Sequence, residues 1–277
     1  MRIAFVHYPG RLARLEPART GDGPTEFLFG AVELEIAGHD VSHYEVDPGV
    51  LAGLVPGGAE LDLWQGRALV SVVGFHFRRT RVLGVAIPGH ANFEEVNLRF
   101  YVRRAAPGVA GEWRRGVVFV KEIVPRRAIA WVARTLYNEN YVALPMRHAV
   151  AELEGGGRRS VGYEWRYAGR WCHVGVVASG PPGIPPVDSE ATFITEHYWG
   201  YARQRDGGTV EYQVEHPQWR VSSALESRFE CDVADLYGAP FAGFLCVPPA
   251  SAFLADGSPV TVRRGVRLKD LVGQTFA

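Results

Sequence analysis

The sequence is short of lysine, of cysteine and of long hydrophobic runs. Only Lys121 and Lys269 are lysines among its 30 basic side chains, so a mechanism that needs an amine nucleophile has few candidates. The three cysteines are odd in number and follow no CxxC spacing, which argues against a disulfide framework or a zinc knuckle and favours a reducing cytoplasm. No stretch approaches the roughly 18 apolar residues of a membrane span, and the first residues lack the apolar core of a signal peptide.

The chain also has no excess of charge of either sign. Its 30 basic and 30 acidic side chains cancel, whereas nucleic-acid binding uses clustered positive charge. Basic pairs such as Arg78-Arg79 and Arg114-Arg115 end apolar segments and are predicted to be solvated ends of strands and helices. We therefore do not expect nucleic acid as a partner, and the lack of an apolar span argues against a membrane. The oligomeric state stays open, with a homo-oligomer among the options.

Alternating apolar and polar residues dominate from residue 47 onward and predict a mainly β fold with helices (α+β). In one run, Val96, Leu98, Phe100 and Val102 share one face, and Asn97, Arg99, Tyr101 and Arg103 share the other. Strands are predicted at 40–46, 67–77, 96–103, 116–124, 160–167, 170–178, 209–216, 220–231 and 259–266. Helices are predicted at 48–54, 125–137 and 232–237. About ten strands in a domain of this size favour a closed or partly closed antiparallel barrel, because closure removes exposed edges.

The first 42 residues follow a different pattern. Residues 2–8 form a short apolar run, a Gly- and Pro-rich loop follows, and Thr25–Ala37 carries apolar residues at helical spacing. Thr25 is a suitable N-cap and Gly38 a suitable C-terminal cap. We predict an N-terminal strand-loop-helix extension over 1–42 and one domain over 43–277. The extension resembles the opening unit of a nucleotide-sugar glycosyltransferase, but nothing after residue 50 continues a doubly wound sheet.

Several motifs together resemble the YqjF-like family of bacterial proteins, a domain of unknown function. They are HYEVDP at 43–48, ELDLWQGRALVSVVGF at 60–75, NFEEVNLRFYVRR at 92–104, GVVFVKEIVPRRAIAWVARTLYNENYVALPMRH at 116–148 and FITEHYWGYARQRDGGTVEYQVEHPQWRV at 193–221. In that family the first barrel strand leads into the tyrosine of HYEVDP. Glu35–His43 must therefore supply that strand or leave it missing.

The same family is distantly similar to acetoacetate decarboxylase, which implies an acetoacetate decarboxylase-like β-barrel with an internal cavity. The resemblance places Glu95 at a cavity glutamate, and Asn140 and Tyr141 at two adjacent lysines, one of which forms a Schiff base. Neither an amide nor a phenol can replace an amine nucleophile. We therefore expect no decarboxylation by that route, and we expect no cofactor.

Two pairs of neighbouring residues supply the candidate catalytic groups. Glu94 and Glu95 point to opposite faces of a strand, so Glu95 could be a buried acid or base, although both could lie in solvent. Lys121 shares the parity of Val117, Phe119 and Ile123, whereas Glu122 shares that of Val118 and Val120. If both faces are covered, one of these two charges is buried. Lys121 is then a candidate amine nucleophile, and an ordinary ion pair or a side chain at the rim is the alternative.

An aromatic segment around His197 and Tyr198 could form a pocket wall, although core packing explains it equally well. The candidate ligand-binding residues are Arg99, Tyr101, Glu122, Tyr141, His197 and Tyr198. The histidines show no HxH or HExxH spacing, so no metal site is predicted. The expected function is binding of a small aromatic or carboxylate-bearing ligand in an internal cavity. The alternative is a lyase or hydratase that acts on small oxo acids with Glu95 as acid/base.

Overall fold

The computed structural model describes residues 32–82, 84–136, 138–153 and 157–268. The strands are β1 (Val32–Val46), β2 (Glu60–Leu61), β3 (Ala68–Val82), β4 (Val85–Ala86), β5 (Phe93–Ala105), β6 (Trp113–Val124), β7 (Tyr141–Ala143), β8 (Met146–Leu153), β9 (Arg158–Tyr167), β10 (Arg170–Gly183), β11 (Trp199–Arg203), β12 (Thr209–Glu215), β13 (Val221–Glu230), β14 (Ser251–Ala255), β15 (Pro259–Val262) and β16 (Val266–Leu268). The helices are α1 (Pro48–Ala52), α2 (Arg127–Leu136), α3 (Glu190–Thr195), α4 (Val233–Leu236) and α5 (Ala239–Leu245). The mainly β prediction is confirmed.

The described strands pair in a ring that returns to its starting point. Going round, β3 pairs with β5, then β6, β11, β12, β15 and β1, and β1 pairs again with β3. We call these seven strands the ring. Because β1 is long, its second edge pairs first with β15 and then with β14, which begins a further layer of β14, β13, β10, β9 and β8. The expected antiparallel order holds for most pairs, but β6 pairs in parallel with both β11 and β7.

The start of β1 corrects one prediction. Residues 2–8 and the first part of the helix predicted over Thr25–Ala37 lie outside the described residues. Residues 32–37 are strand rather than helix, because their backbone pairs with β3 on one edge and β15 on the other, and such pairing outweighs weak helical periodicity. Gly38 does have a positive φ of 62°, but within a β-bulge between Ala37 and Asp40 instead of at a helix end.

Strand β1 also supplies the strand that leads into Tyr44 of HYEVDP. It runs without a break across residue 42, and residues 40–46, which were predicted as a strand, form its second half. The division of the chain into 1–42 and 43–277 stays a prediction, because residues 1–31 are not described.

Apolar side chains form two main cores, one on each side of the ring wall. The larger lies between the ring and the outer layer and contains Leu98, Phe100, Trp165 and Leu254. The second lies inside the ring and contains Val73, Phe75, Tyr101 and Trp219. Alternate residues of β5 therefore enter the two cores, as its sequence pattern predicts. Within the described residues, no helix is long and apolar enough to cross a membrane.

Strand β6 changes face at a β-bulge. Leu98 of β5 is opposite Lys121 and Arg99 is opposite Phe119, so Val120 has no partner. Before the bulge Val117 faces the inner core, and after it Glu122 does so, opposite Asn97. The predicted parity, in which Lys121 shares a face with Val117 and Phe119, is wrong, because the extra residue inverts the alternation.

Candidate functional site

The inner face of β5 carries four consecutive polar positions, Glu95, Asn97, Arg99 and Tyr101. Their exposed fractions are 2%, 1%, 9% and 1%. They face inward because the alternate residues of β5 fill the outer core. Burying so many polar groups costs free energy unless each finds a partner, so their hydrogen bonds decide what the site can do.

Three glutamates form a carboxyl cluster at one end of this row, which we define as Glu95, Glu122 and Glu139. Burial raises the pKa of Glu95 to about 7 and that of Glu139 to about 8. Burial, and then repulsion from Glu139 and Glu95, raises the pKa of Glu122 well above its ordinary value. The cluster therefore holds protons near neutral pH and can give them up or take them back.

The side-chain donors around the cluster are largely committed to it. Tyr141 donates its hydroxyl hydrogen to Oε2 of Glu95 over 3.1 Å, and Asn97 donates from Nδ2 to Oε1 over 3.1 Å. Tyr212 on β12 donates to Oε1 of Glu139 over 3.0 Å. Two acceptors, Oε2 of Glu122 and Oδ1 of Asn97, are buried without a hydrogen-bond partner.

Arg99 lies beside this cluster, where its side chain hydrogen-bonds Tyr101. Within the described part of the chain, no ion pair includes its guanidinium, and its Nε is buried without a hydrogen-bond partner. Burial, and then the charge of Arg99, lowers the pKa of His43 to about 3 and that of His39 well below its ordinary value. These imidazoles are therefore neutral, so the charge of Arg99 has only neutral histidines beside it on β1.

A chain of hydrogen bonds connects Tyr101 to β1. The hydroxyls of Tyr101 and Ser71 lie 2.5 Å apart, and Ser71 Oγ lies 2.7 Å from Nδ1 of His43. The register brings these groups together, since Ser71 is opposite both His43 and Arg99. These hydrogen bonds fix the orientation of the Tyr101 ring beside Arg99. The Cζ atom of Arg99 is 6.0 Å from the centroid of that ring.

His197 is held against the other side of Tyr101. Its ring centroid lies 4.7 Å from that of Tyr101, and its Nε2 lies 3.1 Å from Oδ2 of Asp62, which also accepts from Nε of Arg115 over 2.7 Å. Burial alone would raise the pKa of Asp62, but the hydrogen bonds from His197 and Arg115 outweigh it and lower that pKa. Asp62 therefore stays ionised and fixes the imidazole, leaving Nδ1 of His197 buried without a partner.

A cavity at the ring wall borders the carboxyl cluster at Glu139. Strands β6 and β11 pair only at Gly116 and Val117 and then separate. A cavity of about 200 Å³ lies where they part, with a lining that includes Phe100, Phe119, Glu139, Asn140, Tyr201 and Arg203. Glu139 thus belongs both to this cavity and to the carboxyl cluster.

The structure brings most of the predicted site residues together. Glu95, Arg99, Tyr101, Glu122, Tyr141 and His197 contribute to the inner side of the ring. Tyr198 lies further out, where its ring stacks on His216 at 4.7 Å and its hydroxyl donates to Glu196. Lys121 lies on the opposite face of β6, where its ammonium donates to the carbonyl of Leu236 and is 6.0 Å from the Tyr237 ring centroid.

Sequence reasoning missed five residues of the site, namely His43, Asp62, Ser71, Glu139 and Tyr212. His43, Ser71 and Tyr212 lie on strands. For Ser71 and Tyr212, strand alternation places a polar group among inward-facing apolar residues, and this signal was available in the sequence. Glu139 lies in an irregular segment, where no periodicity assigns a face. No group of three or more His, Cys, Asp or Glu side chains among the described residues has an arrangement that could hold a metal ion.

Comparisons with known proteins agree with this architecture. A family model for DUF2071, described as an uncharacterized conserved protein, matches residues 40–259. The uncharacterized protein YqjF of Bacillus subtilis (strain 168) is 28% identical over 199 residues, which cover 71% of this chain and 77% of that protein.

Solved structures extend the similarity to the fold. An acetoacetate decarboxylase-like enzyme from Sphingomonas wittichii RW1 matches 90% of this chain and 100% of its own, with a TM-score of 0.61 and 13% identity. The enduracididine biosynthesis enzyme MppR complexed with pyruvate matches 89% and 93%, with a TM-score of 0.60 and 13% identity. At such identities the likeness establishes the fold alone. The chain has the acetoacetate decarboxylase-like fold and, by the match over residues 40–259, belongs to the DUF2071 family.

Proposed function

We propose that the interior of the ring binds a small organic acid, whose carboxylate pairs with Arg99. The observation that carries this proposal is the buried guanidinium of Arg99, which has no ion-pair partner among the described residues. A buried charge is strongly destabilising unless an opposite charge or hydrogen bonds compensate it. A ligand carboxylate supplies both, since it accepts hydrogen bonds from a guanidinium in a bidentate geometry.

The surroundings of Arg99 favour a ligand anion over a protein one. Glu95 is near on the same strand, but burial raises its pKa to about 7, so it is only partly ionised at neutral pH. His43 and His197 are neutral because burial lowers the pKa of each, to about 3 and about 4. A carboxylic acid whose pKa is near 4 is fully ionised at neutral pH and is the stronger partner for Arg99.

A cavity next to the carboxyl cluster is of a size that suits a small ligand. It measures about 200 Å³, includes Glu139 but not Arg99 in its lining, and combines aromatic side chains such as Phe119 with polar ones such as Arg203. A protein of the same fold, MppR, is known in complex with pyruvate, a small carboxylate.

A second candidate function is proton-transfer catalysis of the lyase or hydratase type. The observation that favours it is Glu95, which lies on the same inner face as Arg99 and has a pKa raised by burial to about 7. Such a carboxyl is suited to act as general acid or base near neutral pH. Schiff-base chemistry has no support, because Lys121 faces the other core and Lys269 lies outside the described residues.

Isothermal titration with pyruvate, butyrate and benzoate tests the binding proposal. Wild-type protein is expected to bind at least one of them, and Arg99→Met is expected to lose that binding. The matched control is Arg126→Met, which changes an exposed arginine that has no ion pair among the described residues. Binding that survives in Arg99→Met would overturn the proposal. Hydration or cleavage of an oxo acid that Glu95→Gln abolishes would favour the catalytic candidate.

A further inference from the structure

We infer that the ligand of the ring interior is an amino acid in the broad sense, with its carboxylate on Arg99 and its ammonium group on Glu122, Asn97 and Glu95. This inference rests on the carboxylate site proposed above and names the class of molecule that fits it. It follows from the kind of polar atom that is left without a partner at each end of the site.

The unpartnered atoms are of opposite kinds at the two ends. Beside the cluster, the buried atoms without a partner are the acceptors Oε2 of Glu122 and Oδ1 of Asn97. At Arg99 the unpartnered atom is a donor, Nε. Leaving such atoms unpaired costs about 1–3 kcal/mol each. A ligand with an acceptor at one end and several donors at the other satisfies all of them.

The protein itself has few donors to spare for the cluster. The hydroxyls of Tyr141 and Tyr212 and Nδ2 of Asn97 already donate to Glu95 or Glu139. Each carboxyl that gives up its proton becomes an acceptor only, and the ionised cluster then has more acceptor sites than these donors fill. An ammonium group provides three donors and a positive charge in one small group, whereas a hydroxyl provides one donor and no charge.

The strands place the two ends of the proposed site close together on one face. Asn97 and Arg99 are two residues apart on the same face of β5, and Glu122 is directly opposite Asn97 on β6. The test therefore uses β- and γ-amino acids, in which a short carbon chain separates the carboxylate from the ammonium.

Charge balance supports an ammonium over a neutral donor. The titratable groups that face the cluster are Glu95 from β5, Glu122 from β6, Glu139, Tyr141 from β7 and Tyr212 from β12. Among the described residues, Arg99 is the cation that acts on Glu95, where it lowers the pKa against the larger effect of burial. A bound ammonium favours ionisation of these carboxyls, so the cluster releases a proton on binding.

The experiment compares γ-aminobutyrate, γ-hydroxybutyrate and butyrate by isothermal titration near neutral pH, in two buffers of different ionisation enthalpy. With wild-type protein, γ-aminobutyrate is expected to bind roughly tenfold tighter than butyrate, the gain of one charge-assisted hydrogen bond. It is also expected to release up to about one proton per ligand bound. β-Alanine and propionate repeat the comparison with a shorter chain.

Two variants test the ammonium site separately from the carboxylate site at Arg99. Glu122→Gln is expected to remove the advantage of γ-aminobutyrate over butyrate, whereas Glu112→Gln, a change at an exposed carboxylate, keeps that advantage. If wild type binds butyrate and γ-aminobutyrate with equal affinity and both acids require Arg99, the ammonium site is wrong. The carboxylate site at Arg99 then still stands. If no acid binds wild type, both fail. The wild-type comparison decides even if Glu122→Gln does not fold.

Discussion

The hydroxyl oxygen of Tyr141 lies 3.1 Å from Oε2 of Glu95. The resemblance to acetoacetate decarboxylase places a lysine at this position, and the phenol that stands there donates a hydrogen bond to the cavity glutamate. A phenol cannot form an imine, but it can hold a carboxyl group in place and share its proton. At this position the side chain therefore offers a hydrogen bond to Glu95 and no amine nucleophile.

Replacing Arg99 with methionine should stabilise the ligand-free protein. The substitution removes a buried charge that has no ion-pair partner among the described residues and replaces it with an unbranched apolar side chain. The free energy of unfolding should rise by about 1–3 kcal/mol, by analogy with buried charges replaced by apolar side chains. Urea denaturation of both proteins measures this, and a clear loss of stability in Arg99→Met would mean that the guanidinium has a structural partner.

The carboxyl cluster should make stability fall as pH rises. Burial raises the pKa of Glu139 from 4.5 to about 8, so the folded protein holds a proton there that the unfolded chain releases above 4.5. Its contribution to stability is therefore present below pH 4.5 and is lost progressively up to pH 8, by up to about 1.4 kcal/mol per pH unit.

Glu139→Gln isolates this contribution from the histidines, whose lowered pKa values act in the opposite direction. Relative to wild type, the variant should gain stability steadily across that pH range, as followed by urea denaturation at several pH values. A difference between the two proteins that does not change with pH would contradict the assignment.

Lys121 should be dispensable for binding and should not form an imine. Its ammonium group donates to the carbonyl of Leu236 on the far side of β6 from Glu95. Lys121→Met should cost about 1 kcal/mol of stability through the lost hydrogen bond and leave ligand affinity unchanged. Intact mass after borohydride treatment with pyruvate should show no adduct at this residue. An adduct present in wild type and absent in Lys121→Arg would restore Schiff-base chemistry.

Gly200 should tolerate no side chain. A Cβ atom there would collide with the ring of Tyr212, whose hydroxyl bonds Glu139 over 3.0 Å. Gly200→Ala should therefore destabilise the fold by about 1–3 kcal/mol and displace Tyr212 from the cluster. Gly53→Ala is the control, since its Cβ meets no atom within 4 Å and its φ of −72° suits alanine. Equal thermal stability of the two variants would contradict the close approach of β11 to Tyr212.

The sequence predicts the inner row of β5 but not everything that faces it. Strict alternation along that strand identifies Asn97, Arg99 and Tyr101 as one face, and this local rule holds because β5 has no extra residue. Along β6 the unpaired Val120 inverts the rule, so Lys121 and Glu122 exchange faces. A bulge leaves no clear sign in a run of apolar residues, and hence the parity cannot be read from sequence alone.

The contribution of β1 could not be predicted for a different reason. The helical spacing over Thr25–Ala37 is a weak local preference, whereas the strand is held by pairing with β3 and β15, which are distant in the chain. His43 and Ser71 meet only because of that pairing. Glu139 could not be predicted either. It reaches the cluster where β6 and β11 separate, and no sequence period indicates this position.

The most direct test of the central claim is the NMR signal of the Arg99 Nε–H group, assigned by its absence in Arg99→Met. This group is buried without a partner, so its hydrogen exchanges slowly and its shift reports a new acceptor. On titration with γ-aminobutyrate or butyrate, the account predicts a downfield shift of the Nε–H proton that saturates at the calorimetric affinity. Binding of either acid with the Arg99 signal unmoved would contradict the account.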